Sequence, residues 1–448
     1  MASHTVSLST PPLTYNHGKE LAQSIFHETL AAIEVRHAML ARIRREGETL
    51  LAGNISAPLS RPPRVVALGK AANRMAATLD EILGGQVEAG IVVSPAEPTH
   101  KLERYRYFIG GHPYPSLGSW QGAETALAML DGLTADDLAI YLISGGGSAL
   151  FEKPLDPAVS LADLIELNRR LVGCGLPIEQ INVLRKHLSA VKGGRLALQA
   201  YPARQLTIFI SDVPEQFPTM VASGPTLADE STVAQCYEIA EERGLAAGLP
   251  ASIRKHFEQR SLVETPKPGD RRFRRSQYYC LLSNRDALDA AQAAAQKMGL
   301  ASEVDMGDWD RDFRLVVEES LAHLESLAAA HPGQTVCLVQ GGEVISPVTA
   351  PGTGGRNQAF ALYAAQKIAG QKHVVLSAGT DGRDGNSPTS GAVADGQTIS
   401  RGSALNLDPD RYLEMCDSYH FFRSLGDTLD TGFTDNNVRD VRLWLHFA

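Results

Sequence analysis

The segment Leu138–Ser148 reads LAIYLISGGGS, an apolar run followed directly by three glycines between two serines. A short apolar run that ends in turn residues is typical of a buried β-strand. Glycine lets the backbone approach a ligand closely, and successive backbone N–H groups after a strand can bind an anion. The segment therefore predicts a strand followed by an anion-binding loop, although a tight turn from a strand into a helix would account for the glycines equally well.

The same design, a short apolar run ending in small or turn residues, recurs along the chain. It is seen in RVVALGKAA from Arg64, EAGIVVSP from Glu88, RQLTIFISDVP from Arg204, TVCLVQGGE from Thr335 and KHVVLSAGTDGRDG from Lys372. Amphipathic helical stretches separate these runs, and such alternation indicates a mainly parallel sheet with helices on both faces. Ligands of such sheets bind beyond the carboxyl ends of the strands, where the small-residue loops lie.

Length and composition limit the class of protein. At 448 residues the chain is long enough for two or three domains, and its formal charge of −9 argues against a nucleic-acid partner. The N-terminus lacks the pattern of a signal peptide, and no apolar stretch of about twenty residues predicts a membrane span. The five scattered cysteines fit unpaired thiols in a reducing cytoplasm. A homodimer is left open.

A charged, proline-containing segment is the best candidate for a domain boundary. Residues 264–277 read ETPKPGDRRFRRSQ, and a second series of strands and helices follows them. This pattern predicts two α/β domains, at residues 18–265 and 276–448. A long surface loop would have the same composition.

Two charged residues follow predicted strands in the first half. Lys70 stands at the start of a helix, where an ammonium can reach a phosphate or carboxylate; a solvated lysine is the alternative. Asp212, in FISDVP, could hold magnesium or accept a hydroxyl proton, but it could equally cap the next helix.

Three charged residues stand in glycine-rich turns of the second half. Glu343 and Arg356 each follow a pair of glycines, and an arginine leading into a helix suits bidentate contact with phosphate or carboxylate. Asp381 lies in SAGTDGRDG, which resembles a metal loop, although turn-forming aspartates are common without a metal. The spacing does not match a calcium loop.

Two common nucleotide-binding motifs are absent from the sequence. GxxxxGK[ST] does not occur, and Gly69-Lys70 is followed by Ala71. GxGxxG does not open any predicted helix. The chain therefore lacks the signature of a P-loop enzyme and that of a dinucleotide-dependent dehydrogenase.

Several long motifs resemble those of the glycerate 2-kinases, a two-domain family whose C-terminal half is called the MOFRL domain. In chain order they are VVALGKAA, LISGGGSAL, INVLRKHLSAVKGGRLA, ISDVP with VASGPT, GGE with GTGGRNQAFAL, SAGTDGRDG, and CDSYHFFRSLGDTLDTG with NNV. They extend from about residue 20 to residue 440. The resemblance implies ATP-dependent phosphorylation of the 2-hydroxyl of D-glycerate, with magnesium as a further cofactor.

The resemblance also implies a fold and a set of site residues. The expected fold has an N-terminal Rossmann-like α/β/α sandwich and a C-terminal mixed-sheet α/β domain, with the active site in the cleft between them. The expected catalytic residues are Lys70, Arg356 and Asp212. The residues expected to bind substrate or nucleotide are Ser144, Gly145, Gly146, Gly147, Ser148, Lys192, Glu343, Asp381 and Asn437. Asp212 and Asp381 are the candidates for holding magnesium, and which carboxylate acts as the base is left open.

Two segments depart from the pattern of the family. SDVxGD(D)P is replaced by SDVPEQFP at residues 211–218, and TGPTGTNV by TGFTDNNV at residues 431–438. The altered loops leave two alternatives open: a kinase of a related small hydroxy acid and a non-catalytic ligand-binding relative. A hydroxypyruvate reductase is a third alternative, because members of the family have carried that label, although the absence of a dinucleotide-binding motif weighs against it.

Overall fold

A computed structural model describes residues 14–214, 216–307 and 309–447. The described chain divides into two compact units. The first unit comprises residues 34–283 and 435–438, and the second comprises residues 14–33, 284–434 and 439–447. Each unit is built around its own six-stranded sheet.

The helices are α1 (Tyr15–Ala32), α2 (Val35–Arg42), α3 (Ala72–Leu83), α4 (Leu117–Leu130), α5 (Gly147–Leu150), α6 (Leu161–Gly173), α7 (Ile178–Leu188), α8 (Arg195–Gln199), α9 (Val233–Glu242), α10 (Ala251–Glu258), α11 (Asn284–Lys297), α12 (Phe313–Ala330), α13 (Arg356–Lys367), α14 (Thr398–Ala404), α15 (Pro409–Glu414) and α16 (Ser418–Leu425). None of these helices combines the length and the apolar character that crossing a bilayer requires.

The strands are β1 (Ile43–Glu46), β2 (Thr49–Ala52), β3 (Ile55–Pro58), β4 (Arg64–Leu68), β5 (Ala89–Ser94), β6 (Tyr105–Ile109), β7 (Leu138–Ile143), β8 (Arg204–Ile210), β9 (Ser276–Leu282), β10 (Ala301–Asp305), β11 (Trp309–Asp312), β12 (Val336–Gln340), β13 (Glu343–Ile345), β14 (His373–Gly379), β15 (Gly391–Asp395), β16 (Thr428–Leu429) and β17 (Asp440–His446).

The sheet of the first unit is parallel throughout. Its strand order is β6-β5-β4-β7-β8-β9. Every residue of β7 is buried, as expected for a central strand covered on both faces. The carboxyl ends of β4, β7 and β8 are neighbours, so the segments that follow them meet at one edge of the sheet. The α/β class predicted from the alternating pattern is confirmed for this unit.

The sheet of the second unit is mixed, with strand order β10-β12-β17-β14-β15-β16. Only the pair β10–β12 is parallel; β12–β17, β17–β14, β14–β15 and β15–β16 are antiparallel. The last strand of the chain, β17, lies in the middle of this order, between β12 and β14. Its buried Trp444 packs edge-on against Phe360 of α13. The expected mixed-sheet α/β architecture is confirmed.

The division into units differs from the sequence boundaries at two places. Strand β9 pairs with β8 and completes the first sheet, so the charged segment 264–277 is a loop leading into that strand. Helix α1 packs against α11 and β14 and belongs to the second unit. In both cases the partner element is distant in sequence, and a local change of composition does not reveal such a contact.

A histidine pair in the second sheet predicts a loss of stability in mild acid. His373 and His446 are paired across β14 and β17, and their Nδ1 atoms are 3.3 Å apart. Burial, followed by the charge of His446, lowers the pKa of His373 to about 4, and burial also lowers the pKa of His446. As the pH falls below about 6.5, these two histidines are therefore protonated in the unfolded chain before they are protonated in the folded protein.

We expect the free energy of unfolding to be fully retained above about pH 6.5 and to fall as the pH drops towards 4. Denaturant unfolding at a series of pH values measures this dependence. His373→Gln should flatten the curve in this range, whereas the matched control His27→Gln, at an exposed position on α1, should leave it unchanged. Identical curves for the wild type and His373→Gln would contradict the assignment.

Candidate functional site

Each glycine of the loop after β7 has its own structural reason. A Cβ on Gly145 would overlap the carboxylate of Asp212, and a Cβ on Gly147 would come within 2.6 Å of Cβ of Ala222. Gly146 has a φ of 81°, which a larger residue rarely adopts. The tight-turn alternative therefore accounts for all three glycines, and the carboxylate that approaches them is the protein's own Asp212.

The loops after β4 and β7 are bonded to each other. Lys70 N donates to Gly145 O at 2.9 Å, and Ala71 N donates to Ser144 Oγ at 3.0 Å. Gly69 has a φ of 112°, and a Cβ there would overlap the backbone of Ser144. The half-buried Lys70 is thus fixed beside the glycine loop by its own backbone, while the Ser144 hydroxyl is used in holding the two loops together.

A strained backbone segment supports the glycine loop from the other side. Ala222, Ser223 and Gly224 have φ values of 51°, 61° and 62°, and all three residues are buried. Ser223 Oγ donates to Asn182 Oδ1 at 2.8 Å and therefore accepts from Ser148 Oγ, also at 2.8 Å. Left-handed conformations at non-glycine residues persist only where the surroundings enforce them, and they cluster at functional sites. Sequence reasoning missed Ser223, although the motif VASGPT contains it.

Lys192 lies in the interior of the first unit. Its ammonium donates to Phe151 O at 2.9 Å and pairs with Glu152 Oε2 at 2.8 Å. Burial lowers the pKa of Lys192, and the carboxylate of Glu152 opposes that effect. Lys192 therefore holds residues 151 and 152, which follow the glycine loop, by two contacts. Removing one partner of such a buried pair would leave an uncompensated charge in the interior. This placement does not support the prediction that Lys192 contacts a ligand.

Arg356 is the first residue of α13 and is held by two carboxylates. Its Nε and Nη2 donate to Asp440 at 2.6 and 3.0 Å, and Nη2 also lies 2.7 Å from Glu343 Oε1. Burial alone would lower the pKa of Arg356, but Asp440 and Glu343 outweigh it and raise the pKa above its ordinary value. The fork expected to grip a ligand is therefore engaged by Asp440, a residue that sequence reasoning missed.

A second arginine lies beside the same carboxylate. Arg442 is fully buried on β17, with Nη1 4.0 Å from Asp440 Oδ2 and the guanidinium 5.2 Å from the ring centre of Phe360. Burial lowers the pKa of Arg442 to about 10, against the opposing effect of Asp440. Asp440 therefore lies between two cations in the interior, and its own pKa is held below the ordinary value by Arg356 despite burial.

A buried carboxylate fixes the start of the helix that carries Arg356. Asp384 accepts from Asn357 N at 3.0 Å and from Gln358 N at 2.8 Å, which satisfies two N–H groups of the first turn of α13. A Cβ on Gly355 would overlap Asp384. Burial raises the pKa of Asp384 to about 7, partly offset by these two backbone bonds.

Two further predicted site residues, Asp381 and Asn437, are half-buried. Asp381 Oδ1 accepts from Arg383 N at 3.1 Å, which is the turn role that the sequence left open. Asn437 lies in residues 435–438, which belong to the first unit. The first unit thus brings together Lys70, Asp212 and the glycine loop, and the second brings together Glu343 and Arg356.

The described residues contain no group of three His, Cys, Asp or Glu side chains suited to holding a metal ion. The donor set nonetheless fits magnesium, which takes one or two carboxylates and completes its coordination with water and substrate phosphates. Asp212 offers such a carboxylate directly beside Gly145.

Two family models match the chain. The model described as "Domain of unknown function (DUF4147)" matches residues 21–258, and the MOFRL family model matches residues 336–440. The first covers more than half of the sequence. Their order along the chain is the order expected from the motifs.

Individual relatives match over most of their length. The chain is 34% identical to a D-glycerate 2-kinase of Thermotoga maritima, a match that covers 85% of this chain and 90% of the relative. It is 36% identical to a putative hydroxypyruvate reductase of Agrobacterium vitis, covering 84% and 86%. A crystal structure of a glycerate kinase from Thermotoga maritima is similar with a TM-score of 0.81 at 31% identity, covering 96% of this chain and 99% of that one. The resemblance of the motifs is confirmed, and the chain belongs to the glycerate 2-kinase family.

Proposed function

We propose that this protein transfers the γ-phosphoryl group of ATP to the 2-hydroxyl of D-glycerate. Its relatives include a D-glycerate 2-kinase and a structurally similar glycerate kinase. The observation that carries the proposal in the molecule itself is the convergence of Lys70, Asp212 and the glycine loop at the carboxyl edge of the parallel sheet. An edge of a parallel sheet that carries a cation and a carboxylate suits a phosphorylated ligand, which meets the cation directly and the carboxylate through magnesium.

Phosphoryl transfer requires positioning and charge stabilisation rather than covalent chemistry by the protein. We propose that the ammonium of Lys70 stabilises charge on the transferred group, because its backbone is bonded to Gly145 and the side chain starts from a fixed point. Asp212 is the proposed group for accepting the hydroxyl proton or holding magnesium. Magnesium, when bound, neutralises charge on the nucleotide phosphates.

Arg356 is proposed to act as a fixed positive charge. The bonds to Asp440 and Glu343 use Nε and Nη2, so a ligand would meet the remaining edge of the guanidinium at Nη1. This assignment replaces the bidentate grip on the ligand that the sequence suggested. Preorganised charges of this kind stabilise a transition state without reorganising during the reaction.

The experiment that tests the proposed function is an ADP-release assay of the purified protein with D-glycerate, L-glycerate and other small hydroxy acids. Phosphorus NMR of the product distinguishes the 2-phosphate from the 3-phosphate. Because one relative is named a putative hydroxypyruvate reductase, NADH oxidation with hydroxypyruvate is measured in parallel. ADP release dependent on D-glycerate, with a 2-phosphate product, supports the proposal; NADH oxidation without ADP release contradicts it.

The altered loop after Asp212 predicts reduced efficiency with D-glycerate. Glu215 lies outside the described residues; Phe217 is 42% exposed, and its N–H donates to Pro214 O at 2.9 Å. Phe217 brings a ring to a position where the family pattern has an acidic residue, and Gln216 lacks the charge that the pattern has there. Both changes should favour a substrate of different shape and weaken the hold on magnesium in the free enzyme.

We expect the triple variant Glu215→Gly, Gln216→Asp and Phe217→Asp to raise kcat/KM for D-glycerate roughly tenfold. An effect of this size is typical of a small change in the fit between a pocket and its substrate. Steady-state kinetics with varied magnesium measures the change. Leu117→Ala, at an exposed apolar position of the same unit, is the control. Ordinary kinase efficiency in the wild type, unchanged in the variant, would mean that these residues are surface variation.

A further inference from the structure

An exposed aromatic ring lies in the second of the two loops that depart from the family pattern. Phe433 stands where TGPTGTNV has its proline, and it is 72% exposed. A single exposed apolar residue is common on a protein surface and does not by itself indicate a function. The contacts around Phe433 give this one a specific setting.

The turn that carries Phe433 is fixed against the turn that carries Asp381. Thr434 Oγ1 donates to Thr380 O at 2.6 Å, and Thr434 N lies 3.5 Å from Asp381 O. Gly382 has a φ of 85°, and a Cβ there would overlap the carbonyl oxygen that precedes Phe433 in the chain. The backbone at Phe433 is therefore held beside Asp381, one of the predicted site residues.

One face of the ring is covered by a guanidinium group. The guanidinium carbon of Arg383 lies 4.6 Å from the centre of the Phe433 ring, within the range of a cation–π contact. Arg383 is itself anchored, because its Nη1 donates to Ser387 O at 3.2 Å and its backbone N–H donates to Asp381 Oδ1 at 3.1 Å. A planar group thus supports the ring on one face, and the large exposure of Phe433 leaves area for a second planar group.

The chemistry of the proposed reaction shows which reactant has a planar group to stack. Each carbon of D-glycerate carries oxygen, so glycerate has no apolar face that would lie on a phenyl ring. ATP carries a purine base, and stacking of a base on an aromatic side chain changes affinity by about 5- to 150-fold. The neighbouring Asp381 is a candidate for holding magnesium, the ion that accompanies the phosphates of ATP.

We propose that the ring of Phe433 stacks on the purine base of ATP, with Arg383 supporting the opposite face of the ring. This inference rests on the proposed kinase function, because ATP is the phosphoryl donor of that reaction. It gives the altered loop a role in nucleotide affinity rather than in the recognition of glycerate. The proline of the family pattern offers no aromatic face, so the contact distinguishes this chain from that pattern.

The test compares ATP with a probe that has the same chain of phosphates and no base. Isothermal titration of the full-length protein measures the dissociation constants of ATP and of inorganic tripolyphosphate, each with magnesium. In Phe433→Leu, which removes the aromatic face and keeps an apolar side chain, ATP should bind at least about fivefold more weakly, while tripolyphosphate binding is unchanged. Phe433→Trp, which keeps an aromatic face, should retain the affinity of the wild type for ATP.

Two further measurements make the comparison specific. Leu405→Ala, at a 53% exposed position after α14 of the same unit, is the control and should change neither dissociation constant. In the kinase assay, Phe433→Leu should raise KM for ATP and leave kcat and KM for D-glycerate unchanged. The variant should fold like the wild type because the ring is largely exposed, and thermal unfolding checks this.

Three results would overturn the inference. Equal affinity of Phe433→Leu and the wild type for ATP would show that the ring does not contact the base, and the kinase function would stand without it. Equal weakening of ATP and tripolyphosphate would show that the substitution acts on phosphate binding. Absence of saturable ATP binding to the wild type would remove the ligand itself, and the ADP-release assay with D-glycerate then decides whether the proposed function fails as well.

Discussion

Lys70→Ala is expected to lower kcat by about 100-fold or more while leaving the fold intact. A loss of this size in kcat is typical when one preorganised hydrogen-bond donor that stabilises a transition state is removed. The fold should survive because the residue is half-buried and its backbone N–H, which remains in alanine, makes the bond to Gly145 O at 2.9 Å. Steady-state kinetics and thermal unfolding of the same preparation measure the two effects separately.

Lys101→Ala provides the matched control. Lys101 is an exposed lysine of the same unit, paired with Glu97 at 2.8 Å on the surface. Surface pairs of this kind contribute about 0–1 kcal/mol, so neither kcat nor stability should change appreciably. Turnover of Lys70→Ala within a few-fold of the wild type would remove Lys70 from the proposed catalytic group.

The local pattern of the sequence predicted the strands of the first sheet because each is a short apolar run closed by turn residues. LAIYLI at β7 and RVVAL at β4 are both present with the predicted parallel pairing. The pattern did not assign β9 or α1 to the correct unit, because β9 is placed by pairing with β8 and α1 by packing against α11 and β14. Pairing over long sequence separations is information that periodicity does not contain.

Contacts between residues far apart in the sequence also limited what could be predicted for the candidate site. Lys70 and Asp212 were predicted because they follow strands whose carboxyl ends share an edge. Asp440 was not, because its role depends on Arg356, which is 84 positions earlier in the sequence. Lys192 is charged and lies in a family motif, yet its pairing with Glu152 places it in the interior. Sequence identifies which residues are charged, whereas burial and partners decide which of them can meet a ligand.

Arg356→Lys is expected to lower kcat by about 100-fold, nearly as much as Arg356→Ala. Arginine offers two parallel donors in a rigid fork, and a lysine ammonium does not reproduce that geometry. Here the fork meets both oxygens of Asp440, so lysine would lose the contact that fixes the charge, even with the charge itself retained. Full kinetics on both variants, with thermal unfolding, compares loss of geometry with loss of charge.

Asp440→Asn separates the structural role of this pair from its effect on turnover. The substitution keeps the shape of the side chain but leaves Arg356 and the buried Arg442 without the carboxylate between them. Breaking a buried ion pair on one side costs about 3–5 kcal/mol, so the free energy of unfolding should fall by that amount. Asp408→Asn, at the exposed start of α15, should cost only a few tenths of a kcal/mol, because asparagine caps a helix about as well as aspartate does.

If Arg356 acts as a fixed charge, Asp440→Asn should also lower kcat at temperatures where the variant remains folded, because the guanidinium loses its charged partner Asp440 and keeps only the contact with Glu343. Circular dichroism establishes the folded range, and kinetics are measured within it. Retention of most activity by both Arg356→Lys and Asp440→Asn would show that neither the fork nor its anchor matters, and that Arg356 contributes only through its charge. Loss of activity in Arg356→Lys with full activity in Asp440→Asn would instead restore the direct grip on the ligand that the sequence predicted.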